Sequence, residues 1–281
     1  MKIILTTGFS VWLSLLACAQ QLDVPVSSPL QQIRQDISLS FVAVEYSRPS
    51  ARNRVVFGDL VPFDKVWRTG ANQSTKITFG EGIFLEGNRV PAGKYALYTI
   101  PGKTEWTIIL SKNTTWWGAY EYTDAEDVLR FKVRPVSLSS PVETLTVAFD
   151  NVNQNSTVMT ISWERTRVAI SVKADNDAQV TKNIQDAMDP RDKRPYIAAA
   201  NYYYENDKDL NKALEWINKS LEIDPKAYWA VLLKGKIQLK LMDKEGAADS
   251  ATKVIALAKA DKSDEYISLG EKLLIDAKTK K

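Results

Sequence analysis

The 281-residue sequence contains no histidine. That removes the usual general base near neutral pH, the commonest metal ligand and every catalytic triad built on an imidazole. A single cysteine, Cys18, rules out a disulfide within the chain and a thiolate metal site, so stability must come from packing. Neither sign of charge dominates: 37 lysines and arginines stand against 34 aspartates and glutamates, a formal net charge of +3. A nucleic-acid partner would call for a basic face. The one basic cluster is the terminal "KTKK", which reads as a solvated tail.

What is present is ordinary for a folded chain: 44% hydrophobic and 25% charged residues, enough for two modest domains or one large one. The first residues are distinctive. "MKIILTTGFSVWLSLLACAQQ" has one lysine, an apolar run to Leu16 and small residues at Ala17 and Ala19, the layout of a secretory signal peptide over residues 1–19. The run is too short, and followed by too polar a segment, to be a transmembrane helix. Two processing routes stay open: cleavage after Ala19 at "ACA", or a lipobox-like "LLAC" that makes Cys18 the lipidated first residue and supplies a lipid anchor. Both predict an exported protein, in the periplasm or associated with the outer membrane.

From Ile37 to Lys173 short alternating runs are punctuated by turns, giving about ten strand candidates. "EGNRV" places Gly87-Asn88 at a tight hairpin turn, and "WGAYEY" reads as one of the strands. "STVMTISWE" and "TRVAISV" read as two more. After Lys173 the period changes. Val180, Ile184 and Met188 recur at helical spacing, "DPRDKRP" reads as a linker, and five further helical segments follow, with Asp224-Pro225 opening one of them. Ala213 and Ala247 lie 34 residues apart, as do Leu221 and Ile255, the tetratricopeptide period; Gly235 supplies a small residue for close helix approach. The expected fold class is α+β: an N-terminal all-β sandwich or barrel over 29–173, a helix and linker over 174–195, and a tetratricopeptide-like helical hairpin domain over 196–281. Too few repeats are present for a free-standing array, so the helices are expected to pack on the β-domain or on the helix at 177–188.

Two stretches carry the candidate ligand-binding residues. In "KVWRTGANQST" Trp67 is expected to be buried, Gly70 to supply a positive φ, and Asn72 and Thr75 to tie the corner by side-chain hydrogen bonds. Arg68 is least explained by a corner: it either pairs with Glu45, Asp59 or Asp64, or stands free for an anionic ligand. In "NTTWWGAYEYTDAEDVLR", read as a strand, Trp116, Gly118, Tyr120 and Tyr122 share one face and Trp117, Ala119 and Glu121 the other. Such rings serve either as core or as a stacking surface for sugars, which singles out Trp117 and Tyr120. Asp124, Glu126 and Asp127 read as solvated loop acids, not a glycosidase pair or calcium loop. No catalytic residue, metal site or cofactor is assigned, and enzymatic activity is left open.

"VEYSRPSARNRVVFGDLVPFDKVWRTGANQSTKITF", "VPAGKYALYTIPGKTEWTIIL" and "WGAYEYTDAEDVLRFKV" resemble the secreted bacterial family known as domain of unknown function 2911, over roughly Pro29 to Lys173. The resemblance implies export and a two-part design, with a signal peptide before the domain and tetratricopeptide-like helices after it; it implies no activity, cofactor or catalytic residue. The expected function is that of a cell-envelope protein, a non-enzymatic binding or scaffold module whose helices offer a groove to a peptide or protein. The alternative is a protein that binds or processes carbohydrate, with an envelope glycan as partner.

Overall fold

Strands that alternate apolar and polar residues need a second apolar face to cover them, and the β-half supplies two such sheets. A computed structural model describes residues 24–188 and 195–279. The leader expected at 1–19, Cys18 and most of the expected linker fall outside the described residues. One sheet orders β1 (Leu30–Ile37), β2 (Ser40–Ser47), β3 (Ala71–Phe79), β6 (Gly93–Ile100), β7 (Trp106–Ser111) and β8 (Asp127–Val133). The other orders β5 (Asn88–Val90), β4 (Ile83–Leu85), β10 (Ser156–Ala174) and β9 (Val136–Asp150). Neighbouring strands are antiparallel in both sheets. Val42 and Val44 of β2 and Ile77 of β3 share one core with Val147 of β9 and Ile161 and Ile170 of β10. Tyr46 ties the layers: its hydroxyl accepts the Val147 N–H at 2.8 Å and donates to Gln31 Oε1 at 2.6 Å. The fold is α+β with an N-terminal β-sandwich.

Several local expectations are corrected. Strand β1 precedes the first expected strand, its alternation hidden by glutamines, an arginine and an aspartate on an edge strand. The two strands expected over 156–172 are one, β10, which bulges where Glu164 adopts φ 52° and its pairing with β9 shifts register. Leu85 pairs with Asn88, so the hairpin turns at Glu86-Gly87 (φ 46° and 79°), one residue before the expected Gly87-Asn88. "WGAYEY" is no strand; it lies in turns and bends between β7 and β8.

Among the described residues six helices follow: α1 (Asp177–Ala187), α2 (Tyr196–Glu205), α3 (Leu210–Ile223), α4 (Tyr228–Lys240), α5 (Lys244–Ala260) and α6 (Asp264–Thr279). Ile184 and Met188, at the end of α1, pack on a cluster that includes Ala199, Tyr203, Trp216 and Ile237. Asp209 caps α3, its carboxylate accepting the N–H groups of Asn211 and Lys212. Asp224 does not open α4 as expected. It closes α3, its carboxylate accepts the Lys226 N–H inside the turn, and α4 starts behind Ala227. Where the halves meet, Asn155 donates to Asn206 Oδ1 at 2.5 Å, and Asn176 links Ser38 to Glu81. Among the described residues no helix is long and apolar enough to cross a membrane.

Candidate functional site

The stretch from Lys65 to Thr75 leads into β3 as a corner. The Trp67 N–H and C=O both bridge to Thr99, at 2.8 and 2.9 Å, and its ring stacks on Trp163 with centroids 5.8 Å apart. Trp67 Nε1 donates to Gly70 O at 3.1 Å. The left-handed backbone expected at Gly70 belongs instead to Thr69 (φ 56°) and Asn72 (φ 60°). Gly70 is needed for closeness, since a Cβ there would stand 3.0 Å from Ser47 O and 3.1 Å from Thr75 Oγ1. Thr75 is buried and its hydroxyl donates to Thr69 O at 2.8 Å. Asn72 Nδ2 donates to Ser28 O and Ser47 Oγ at 3.3 and 3.2 Å. Both side chains are thus engaged in holding the corner.

Arg68 has a different surrounding. Glu45 accepts from Gln32 at 2.6 Å and faces Lys94 at 3.9 Å, while Asp59 and Asp64 are exposed. Among the described residues no carboxylate forms an ion pair with Arg68, and its Nε is buried with no acceptor. Arg68 lines a cleft of about 310 Å³ together with Arg52, Arg54, Ser28, Ser50 and the rings of Trp67 and Trp163. Among the described residues no acidic side chain lines this cleft. Arg54 is held by Ala51 O and Ser50 O, both at 2.9 Å. The Arg52 N–H donates to Glu143 Oε1 at 2.8 Å, and among the described residues its guanidinium meets only Ser27 O, at 3.4 Å. Among the described residues none of the three guanidinium groups is ion-paired, although the Glu143 carboxylate stands at the Arg52 amide; such a cluster raises the positive potential in a walled space, and its planar forks match carboxylate or phosphate oxygens. Arg52 and Arg54 escaped sequence reasoning, which counted the terminal "KTKK" as the one basic cluster and passed over the two arginines of "SARNR"; nothing linear placed them beside Arg68.

The aromatic cluster divides. Trp116, Ala119 and Tyr122 pack with Ala96, Tyr98 and Ile109 on the outer face of the six-stranded sheet. Trp117 and Tyr120 are 59% and 91% exposed. Gly118, at φ 75°, makes the turn between them, and a Cβ there would lie 3.3 Å from Arg68 Nη1. The loop therefore reaches Arg68, yet neither exposed ring lines the arginine cleft. The loop acids go separate ways. Glu126 pairs with Lys112 at 3.5 Å, and Asp127 accepts the Tyr122 hydroxyl at 2.7 Å and pairs with Arg130. Burial, reinforced by the Asp127 carboxylate, raises the Tyr122 phenol well above the ordinary tyrosine range. Of the five candidates, Arg68 faces the cleft, Asn72 and Thr75 hold the corner, and Trp117 and Tyr120 stand on the outer loop.

Fold and site together define a two-sheet sandwich whose loops enclose a cationic cleft, followed by helical hairpins. The chain belongs to the family described as protein of unknown function (DUF2911), which matches residues 28–172. That match contains Arg52, Arg54, Arg68 and both cleft tryptophans. No curated protein and no solved structure matches the chain.

Proposed function

We propose that the β-sandwich is a receptor module for a small anionic ligand, bound through carboxylate or phosphate oxygens in the cleft of Arg52, Arg54 and Arg68. The observation that carries this is the grouping of three arginines in one lining that, among the described residues, holds no acidic side chain, one of them with a buried Nε that meets no acceptor there. A structural arginine is normally compensated, whereas a ligand-binding one waits for its anion. Trp67 and Trp163 add an apolar wall for the body of the ligand. The setting proposed is the cell envelope, on the strength of the leader-like first residues. An acid-bearing envelope glycan fits both the cleft and that setting, and joins the binding-module reading to the carbohydrate one without requiring catalysis.

Tryptophan fluorescence of the full chain, titrated with inorganic phosphate and with succinate, tests this, because two tryptophans line the cleft. The expected result is a saturable change with at least one of the two probes, lost in Arg68→Ala and in Arg54→Ala. Arg68→Ala strands no carboxylate, so its folding stability should fall by only about 1 kcal/mol or less. If neither probe perturbs the wild-type protein, or if Arg68→Ala responds equally, the reading fails.

A second observation concerns the helices. Tyr204, Lys236, Lys240, Lys272 and Leu273 are among the residues lining a groove of about 500 Å³ across α2, α4 and α6. Its rim carries Lys236 and Lys272 beside Asp276 and a Lys240 that pairs with Asp207, over an apolar floor, and this is where we place the expected peptide or protein partner.

A further inference from the structure

The outer face of β3 holds a pair of reactive side chains where solvent would be expected. Along the strand Thr75, Ile77 and Phe79 turn inward, so Ser74 and Lys76 belong to the outer face. A lysine there should reach water. Instead Lys76 is 5% exposed and Ser74 3%, with the loop between β7 and β8 folded over this face through Trp116 and Tyr122. Lys76 Nζ lies 2.6 Å from Ser74 Oγ and 2.9 Å from Ser74 O. Ser74 Oγ also approaches Trp116 O, in the covering loop, at 3.4 Å. Tyr98 on β6 meets the Ser74 hydroxyl and donates its own to Gly118 O at 3.2 Å, again in the covering loop.

Among the described residues Lys76 belongs to no ion pair, because Glu45, its cross-strand neighbour on β2, is engaged with Gln32 and Lys94. Burial therefore lowers the Lys76 amine below the ordinary lysine range; the Lys94 charge adds to this and Glu45 opposes it. In the structure Lys76 is the donor to Ser74 Oγ and O, and only after losing a proton can its amine accept that of the hydroxyl. The close contact with Ser74 is the geometry that lets a serine act as nucleophile without histidine.

We propose that Ser74 and Lys76 form a nucleophile and general-base pair acting on an ester, with the loop between β7 and β8 as a cover that must swing aside. As Ser74 Oγ bonds to the carbonyl carbon, Lys76 Nζ takes its proton; the resulting ammonium returns that proton to the departing alkoxide as the carbon–oxygen ester bond breaks. Water, deprotonated by the same amine, then attacks the acyl-serine, and Ser74 leaves carrying the proton that Lys76 hands back. Only water is consumed besides the ester. Neither Ser74 nor Lys76 lines the arginine cleft, and Arg68, beside Gly118 of the covering loop, is the residue that neighbours both sites.

The test incubates the full-length protein with a fluorophosphonate and, separately, with p-nitrophenyl acetate, locating the adducts by peptide mass. Label is expected on Ser74, absent in Ser74→Ala and slowed about 100-fold or more in Lys76→Met. Trp116→Ala, which loosens the cover, should speed labelling. The wild-type rate should rise with pH through an inflection below the ordinary lysine value of about 10.4. Titratable and charged groups that could contribute to that profile are Glu45 and Lys94, which act on Lys76, Tyr98, which meets Ser74, and Tyr122, Glu121 and Arg68 around Tyr98. Loss of the inflection in Lys76→Met assigns it to the amine. Failure to label Ser74 in both the wild-type protein and Trp116→Ala overturns the proposal. So does an unchanged rate in Lys76→Met. Should Lys76→Met not fold, a wild-type rate without the low inflection is equally decisive.

Discussion

The sandwich and the helical half meet the same need, removing apolar surface from water, with opposite side chains. Trp106, Trp163, Tyr46 and Phe79 fill the space between the sheets, and all are almost fully buried. The helices bury Ala199, Ala200, Ala213, Ala230, Ala247, Ala251 and Ala258. Geometry explains the contrast. Stacked sheets lie about 10 Å apart and leave a gap that only large side chains close. Helices can approach to about 8 Å, provided that small residues stand at the crossings. Gly235 of α4 is the extreme case: a Cβ there would meet Leu273 of α6 at 2.6 Å and Ser250 of α5 at 3.0 Å. The sandwich is therefore exposed to loss of volume and the helical half to gain of it.

The sharpest way to probe that contrast is to remove volume from the sandwich. Trp106 packs edge-on against Phe57 with centroids 5.0 Å apart and is 1% exposed, so Trp106→Ala should cost about 3–5 kcal/mol in urea unfolding followed by tryptophan fluorescence. The helical far-ultraviolet signal should hold to higher urea than the fluorescence in this variant. A single shared transition would show instead that the two halves unfold as one unit, and the contrast would lose its thermodynamic meaning. A smaller effect comes from adding volume to the helices. Gly235→Val should cost about 1–3 kcal/mol in the helical signal, because crowding against Ser250 outweighs the modest gain in helix propensity. A neutral outcome would mean that α4, α5 and α6 can spread apart without penalty. Smallest of the three is the cap of α3: Asp209→Ala leaves two amide donors unmatched and should lower helical stability by about 0.5–2 kcal/mol, with little change in the sandwich.

Legibility in the sequence followed how local each feature is. Ala213, Trp216 and Ile217 lie on one helical face in the chain and in the structure, so the helices could be read from spacing alone. Strand β1 could not, because an edge strand with glutamines and charges carries no apolar stripe. The loop after β7 misled for the converse reason. Its aromatic density imitates a strand, but the positive φ of Gly118 breaks the alternation and sends Trp116 and Tyr122 down while Trp117 stays out. At the candidate site Arg68 stood out as unexplained by a corner, whereas Arg52 and Arg54 did not. Ser74 and Lys76, two positions apart on a strand, look like an ordinary solvated face until the covering loop is in place.

By itself the sequence determined the succession of sheet then helix, the alternating cores of each, and the chemistry excluded by a chain without histidine and with one cysteine. These properties depend on residue type and on spacing along a few turns or strand steps, and a linear text retains both. Only the tertiary structure decided which charges meet. It brought Arg52 and Arg54 into one cleft with Arg68, kept Glu45, Asp59 and Asp64 out of ion pairs with Arg68, and sealed Lys76 against Ser74 beneath a loop some forty residues away. The reason is physical. Whether a charge is matched, buried or free depends on distance and solvent access, and both are set by the packing of segments far apart in the chain.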